Sequence, residues 1–392
     1  MQDLVEGCSS SLMSFKAEDN IVIGPIDISC DGIDENEDKN EFDCDVDNPL
    51  GPLRWAVDAE DIVRMRNTVQ LDHYDRHIFI LPNLPECGWA GLGTLGCEKD
   101  RCRIWINNGG VTMKNLDIIW HEIGHTMGLY HSGVPGNEYG DCTCAMGNCG
   151  VGQCFNAAQS WQLGWVLPID DLDASSLTPG IWLKYYLPAL QIGDSTEAAL
   201  YRQCLLRIRA TWGEKNNDDN AFIISYREAV NSDRLMQEPY TRHIHVHSYV
   251  TNPSTFTGNR VTLLSSLSSS QEFVDREENF RIRFLGIKGF FAGVQVCRWI
   301  QTVSECESLD RVIDKSPNCY DVERRSDDGI KSDVLWEDSE KWQKGGCVLE
   351  YSPTHIIIID DDDLDDSNEY SFPFSLFLIF SIILISMSFQ SI

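Results

Sequence analysis

The sequence predicts an α+β fold, a mixed twisted sheet with helices over residues 1–168, followed by a β-rich, sandwich-like domain over residues 169–300. Two observations predict it. In the first part, stretches with an apolar residue at every third or fourth position alternate with short β-branched runs. After Trp165 and Pro168 that helical spacing stops, and short strand-like runs take over, separated by polar turns such as Asn216-Asn217-Asp218 and Asn252-Pro253.

The elements follow in order. Ile21-Val22-Ile23 reads as a strand. The acidic stretch from Asp31 to Asp47 lacks the regular oxygen spacing of a calcium loop, so it reads as a solvated loop closed by a disulfide at Cys30 and Cys44. Residues 52–70 carry Leu53, Trp55, Ala56, Ala59, Ile62, Val63 and Met65 at helical steps, a stripe that belongs to the core. Strands are expected at His77–Leu81 and Arg103–Asn107. Between them, Gly88-Trp89-Ala90-Gly91-Leu92-Gly93 lacks the strand-before and helix-after setting of a dinucleotide loop and reads as tight backbone. A helix should run from about Lys114 to Met127, with Asn115 or Asp117 near its start. The second domain has strand-like runs at Trp182–Leu187, Leu205–Ala210, Ala221–Tyr226, His243–Val250, Arg281–Phe284 and Gly293–Cys297. Residues 301–359 form a polar, cysteine-bearing segment, and residues 360–392 an acidic stretch with a hydrophobic tail.

Composition narrows the function classes. The 392 residues carry 31 Lys and Arg against 61 Asp and Glu, a net charge of −30. Such a surface repels phosphate backbones and argues against a nucleic-acid partner. Fifteen cysteines spread along the chain point to disulfides and an oxidising compartment, hence an extracellular or cell-surface protein. The first 30 residues hold no charged start followed by a long apolar run, so the chain is expected to begin after its leader. From Tyr370 to Ile392 there is no charged residue, and the run from Phe372 to Phe389 is long enough to cross a bilayer core. With no Lys or Arg after it, the tail reads as a glycolipid-anchor signal or a retained membrane helix.

The segment that carries chemistry is Trp120-His121-Glu122-Ile123-Gly124-His125-Thr126-Met127-Gly128-Leu129-Tyr130-His131-Ser132. Histidines four apart lie one helical turn apart on the same face, so His121 and His125 can reach one metal. His131 lies about 240° further round and cannot join them if the helix continues. Gly128 can adopt a left-handed conformation, end the helix and swing the chain back under the site. Three neutral imidazoles on Zn2+ leave a position open for water. Glu122, next to a ligand, is placed to take a proton from that water and pass it to a leaving amine. The spacing of five constrained positions makes this a specific signal.

These residues resemble the metzincin clan of zinc peptidases, in which a methionine turn lies beneath the metal; Cys144-Ala145-Met146-Gly147 fits that turn and makes Met146 its structural support. Gly88-Trp89-Ala90-Gly91, Tyr139-Gly140-Asp141, and Cys154-Phe155-Asn156-Ala157 through Leu163-Gly164-Trp165 narrow the resemblance to the gametolysin family, which includes algal autolysins. It runs from about Leu12 to Trp165 and continues faintly through Ser225-Tyr226-Arg227 and His245-Val246-His247. The resemblance implies a metzincin-like fold and a zinc endopeptidase acting on extracellular proteins such as cell-wall or matrix glycoproteins. It also implies a sheet edge at Arg103–Asn107 to which an extended peptide adds as a strand. Gly147 and Asn148 follow the turn methionine where astacin-type relatives have a tyrosine, so no fifth protein ligand is expected.

Other clusters read as structural. Cys142, Cys144, Cys149 and Cys154 could hold a second zinc by count, but in an exported protein they read as disulfides bracing the turn. His243, His245 and His247 share one face of a strand and, without a partner motif, read as packed histidines. The reading from another class is a surface adhesion or binding protein that keeps the fold and has lost turnover. Every expected catalytic residue is present, which weighs against it.

Overall fold

The computed structural model describes residues 1–28, 51–66, 69–85, 87–97, 102–107, 116–149, 153–191, 202–213, 220–250, 260–308 and 310–315, with residue 44 and short strands at 32–33, 39–40, 335–336, 347–348, 378–385 and 388–389. Met1–Asp314 and Phe377–Ile392 make one compact unit, and Lys315–Leu376 a second. In the second, Leu335–Trp336 and Cys347–Val348 pair antiparallel.

The elements of the main sheets of the first unit, with its helices, run as follows. Helix α1 (Gln2–Cys8) and strand β1 (Ile21–Ile28) precede helix α2 (Pro52–Arg66). Then come β2 (Arg76–Leu81), β3 (Gly91–Gly93), β4 (Cys102–Asn107), helix α3 (Leu116–Thr126), the short β5 (Ser132–Gly133) and helix α4 (Ala157–Gln162). The later strands are β6 (Leu167–Leu172), β7 (Trp182–Pro188), β8 (Gln203–Ile208), β9 (Asn220–Arg227), β10 (His243–Val250) and β11 (Arg260–Leu267). They continue with β12 (Glu272–Asp275), β13 (Phe280–Lys288), β14 (Phe291–Arg298), β15 (Val312–Asp314) and β16 (Leu378–Ile385).

The first sheet has the order β1-β16-β2-β4-β3. Strands β2 and β4 run parallel, and β3 is antiparallel to β4. A parallel pair covered on both faces calls for apolar residues on both faces, and β2 and β4 supply them at Ile78–Leu81 and Ile104–Ile106. Ile78, Ile80, Ile104 and Ile106 face α3, packing with Ile119, Trp120 and Ile123. Phe79, Leu81 and Trp105 face α2, packing with Trp55, Ala56, Ala59 and Val63. Arg76 and His77 are the polar residues of β2; His77 is fully buried and hydrogen-bonds Glu60 of α2 at 2.8 Å.

Beyond α4, two sheets enclose a shared core. One has the order β12-β13-β14-β7-β15, the other β5-β11-β10-β9-β8-β6. Leu183, Tyr185, Phe280, Ile282, Phe284, Val294 and Val296 of the first meet Leu206, Ile208, Ile224, Tyr226, Ile244 and Val246 of the second. Alternation along these antiparallel strands puts every second residue into that layer. Strand β5, immediately after His131, pairs in parallel with β11: Ser132 lies opposite Val261 and Gly133 opposite Thr262. The chain following His131 is therefore part of the six-stranded sheet.

Several expectations change. The sheet edge beside α3 is β3, not Arg103–Asn107, because β3 pairs outside β4. In α2 the stripe is narrower than expected: Leu53 and Met65 are 48% and 77% exposed. Strands β6, β11, β12 and β15 lie outside the expected runs. The tail run is expected to meet a membrane, yet Leu378–Ile385 forms a strand between β1 and β2. Among the described residues no helix is long and apolar enough to cross a membrane.

Among the described residues five disulfides join Cys8–Cys154, Cys44–Cys87, Cys97–Cys102, Cys142–Cys149 and Cys297–Cys306. Cys44 therefore pairs with Cys87 and not with Cys30, which lies outside the described residues together with most of the acidic loop. Cys144 and Cys204 are free and buried.

Candidate active site

Helix α3 is amphipathic in an unusual sense: one side is core and the other carries chemistry. Trp120 is fully buried, stacked on Phe155 at 4.7 Å and on Trp165 at 6.3 Å between ring centroids. With the core side fixed, His121, Glu122 and His125 project from the rest of the helix. Gly124 lies between the two histidines because nothing larger fits: a Cβ there would stand 2.4 Å from Sδ of Met146. Met146, fully buried, thus rests directly against the helix backbone.

The helix ends as its glycine dictates. Gly128 has φ +83°, its N–H donates to the His125 carbonyl at 2.8 Å, and the Leu129 N–H donates to the Gly124 carbonyl at 3.0 Å. This pair of bonds is a Schellman cap, which reverses the chain. The reversal brings His131 back to the other two. Ring centroids lie 4.9 Å apart for His121 and His125, 5.3 Å for His121 and His131, and 4.8 Å for His125 and His131. One ring nitrogen from each lies within 4.8 Å of the others.

Proton placement settles what such a cluster wants. Each Nδ1 faces a group that accepts: His121 faces the Ala145 carbonyl at 2.9 Å, His125 the Leu129 carbonyl at 2.8 Å, and His131 the Glu138 carboxylate at 2.7 Å. Each Nδ1 therefore carries the proton, which leaves the Nε2 lone pairs free. Burial also pulls the His121 and His125 pKa values down to about 4, keeping the rings neutral at pH 7. Two of these lone pairs, on His125 and His131, face each other at 3.1 Å. Two ring nitrogens at that distance need a proton or a metal cation between them, and two tetrahedral ligands at about 2.0–2.1 Å from zinc would be spaced at close to this value. The residues fit a metal.

Glu122 is 5% exposed and packs beneath β3. A Cβ on Gly91 would stand 2.6 Å from Glu122 Oε1, and one on Gly93 would stand 2.7 Å from the Glu122 carbonyl. The glycines of the edge strand thus let its backbone lie directly on the carboxylate. Burial pushes the Glu122 pKa up to about 8. A nearby dication favours the ionised form and opposes that rise.

The structure brings His121, Glu122, His125, His131 and Met146 together, as the motif predicts. The four-cysteine cluster forms Cys142–Cys149 and Cys8–Cys154 with Cys144 free, so disulfides flank the turn. Among the described residues, His243, His245 and His247 do not form a metal-binding group. His245 and His247 are fully buried, and His247 pairs with Asp141 at 3.1 Å. Two residues went unforeseen in their roles. Glu138 holds His131, and Tyr139 lays its ring 4.0 Å from the His131 ring. Tyr139 and Asp141 lie in a tripeptide already singled out by resemblance, but no spacing rule ties Glu138 to His131 in advance.

A family model described as gametolysin peptidase M11 matches residues 2–272. The autolysin of Chlamydomonas reinhardtii is 26% identical over 180 residues, which is 44% of this chain and 26% of that protein. The chain thus covers only about a quarter of that relative's length. No solved structure matches. With a three-histidine cluster in place and a family match over more than half its length, the chain belongs to the gametolysin peptidase family, a family of metallopeptidases.

Proposed function

We propose that this protein is a zinc-dependent endopeptidase in which His121, His125 and His131 hold the metal and Glu122 is the general base. The observation that carries this is the convergence of three Nε2 lone pairs beside a buried carboxylate. Bound there, zinc supplies Lewis acidity, polarising a peptide carbonyl and acidifying water. Glu122 takes the proton of the attacking water and returns it to the amine of the leaving strand. Ala145, Leu129 and Glu138 fix the tautomer and direction of each imidazole through Nδ1. Met146 supports the imidazoles from below without binding the metal.

The substrate is an extended stretch of protein chain. Among the described residues β3 has β4 on one side and no strand on the other, which supports addition of a substrate strand along Gly91–Gly93, over Glu122. The five disulfides among the described residues and the likeness to an autolysin fit an extracellular protein. Cell-wall or matrix glycoproteins are the substrate class proposed. No observation favours the inactive binding protein.

The test is direct. Phenanthroline should abolish casein cleavage and added zinc should restore it. Glu122→Gln should keep its full metal content and lose activity; a fully active Glu122→Gln protein refutes the assignment.

A further inference from the structure

The six-stranded sheet does more than sit beside the catalytic motif. Its strand β11 pairs with Ser132, the residue after His131. Ser132 is also fully buried and fastened by its N–H to the Met146 carbonyl at 3.0 Å and by its hydroxyl to Asp141 Oδ2 at 2.7 Å. Asp141 is itself fully buried. Its Oδ2 also accepts from Asn156 Nδ2 at 3.0 Å and from His247 Nε2, on β10, at 3.1 Å. Its Oδ1 accepts from the Thr143 N–H at 2.9 Å and the Thr143 hydroxyl at 2.6 Å. A carboxylate with five donors is held in one position. The His247 ring provides the cationic or dipolar partner that makes burying it tolerable.

A second buried pair grips the far side of the same turn. Arg227, at the end of β9, forms an ion pair with Asp233 at 2.6 Å and donates to the Thr143 carbonyl at 2.9 Å. Asp233 in turn accepts from the Cys154 N–H at 3.0 Å. The segment from Ser132 to Cys154, which carries the methionine turn and follows the third imidazole, is thus clamped to β9 and β10 by two buried pairs, Asp141 with His247 and Asp233 with Arg227.

We propose that His247 and Asp141 are positioning residues for the metal site: through Ser132 they fix the backbone that aims His131, so the β-rich half sets the affinity for zinc. The effect is transmitted, since neither side chain reaches the metal cluster. It rests on the zinc-binding reading above. The conservative replacement at the hinge of the relay is His247→Gln, whose amide N–H can still donate to Asp141; His247→Leu cannot.

The experiment uses the full chain and reads zinc affinity by competition with a chromogenic chelator, with the thermal midpoint of the metal-free form measured in parallel. Loss of a group supporting a ligand costs about 10- to 100-fold in metal affinity, so His247→Leu should bind zinc at least about tenfold more weakly, and His247→Gln within about threefold of wild type. If His247→Leu does not fold, Ser132→Ala removes only the last link and should weaken zinc binding by about tenfold. A folded His247→Leu or Ser132→Ala protein with wild-type zinc affinity and merely a lower midpoint overturns the proposal, leaving a packing role. A wild-type chain that takes up no zinc overturns the underlying metallopeptidase reading instead.

Discussion

Glu138 accepts a 2.7 Å hydrogen bond from Nδ1 of His131, although its own side chain is 71% exposed. The other two imidazoles rest on backbone carbonyls, which cannot be mutated away. Only His131 depends on a replaceable side chain. Glu138→Ala should therefore weaken zinc binding by about tenfold while leaving the fold intact. Chelator competition and a thermal melt check both halves; unchanged affinity would show that the contact has no consequence.

Gly91 leaves no room for a side chain over the Glu122 carboxylate. A methyl group there would stand 2.6 Å from Glu122 Oε1 and 2.9 Å from its Cγ. Gly91→Ala should displace that carboxylate by about an ångström and lower kcat about 100-fold, with metal content unchanged. Steady-state kinetics beside elemental analysis would reveal it. Retained kcat would mean that the strand yields rather than the glutamate.

The pH dependence of stability should be governed partly by Glu60. Its carboxyl lies 1% exposed between His77, Arg64 and Arg103. Burial alone raises its pKa, but hydrogen bonds from His77 and Arg103 prevail and hold it down to about 2. A depressed carboxyl stabilises the fold above its ordinary value of 4.5 and ceases to do so as the pH falls through about 2. The difference is worth about 3 kcal/mol. Glu60→Gln should melt well below wild type at pH 7, with the gap closing as the pH approaches 2. A gap that is constant with pH would count against the ion pairs as its source.

The tail offers a test between two physical fates. Strand β16 lies between β1 and β2, so its removal splits the first sheet. A chain ending at residue 376 should lose cooperative unfolding or fail to accumulate in soluble form. If the run instead serves a membrane, the shortened chain should be more soluble and equally active.

The sequence is legible where structure is local. The four-residue step between His121 and His125 and the reversal at Gly128 are decided within a single helix and its cap, and both stand as expected. The tail shows the opposite case. A run as apolar as Leu378–Ile385, interrupted only by Ser381, suits a bilayer and a central sheet strand equally well, and periodicity does not separate them. Strand β11 escaped notice because Ser265 and Ser266 give it the composition of a loop. The Asp141–His247 pair spans 106 positions, and nothing near either residue announces the other. Likewise Cys44 looked nearest to Cys30 along the chain and found Cys87 across the fold.

The parallel pairing of Ser132 and Gly133 with Val261 and Thr262 has a practical bearing on engineering. A fragment cut at residue 168 would contain the whole histidine motif and still strand two of its peptide groups without a neighbour. Modular exchange between peptidases of this kind should therefore keep residues 1–314 and 377–392 together, since the seam suggested by composition runs through a hydrogen-bonded ladder.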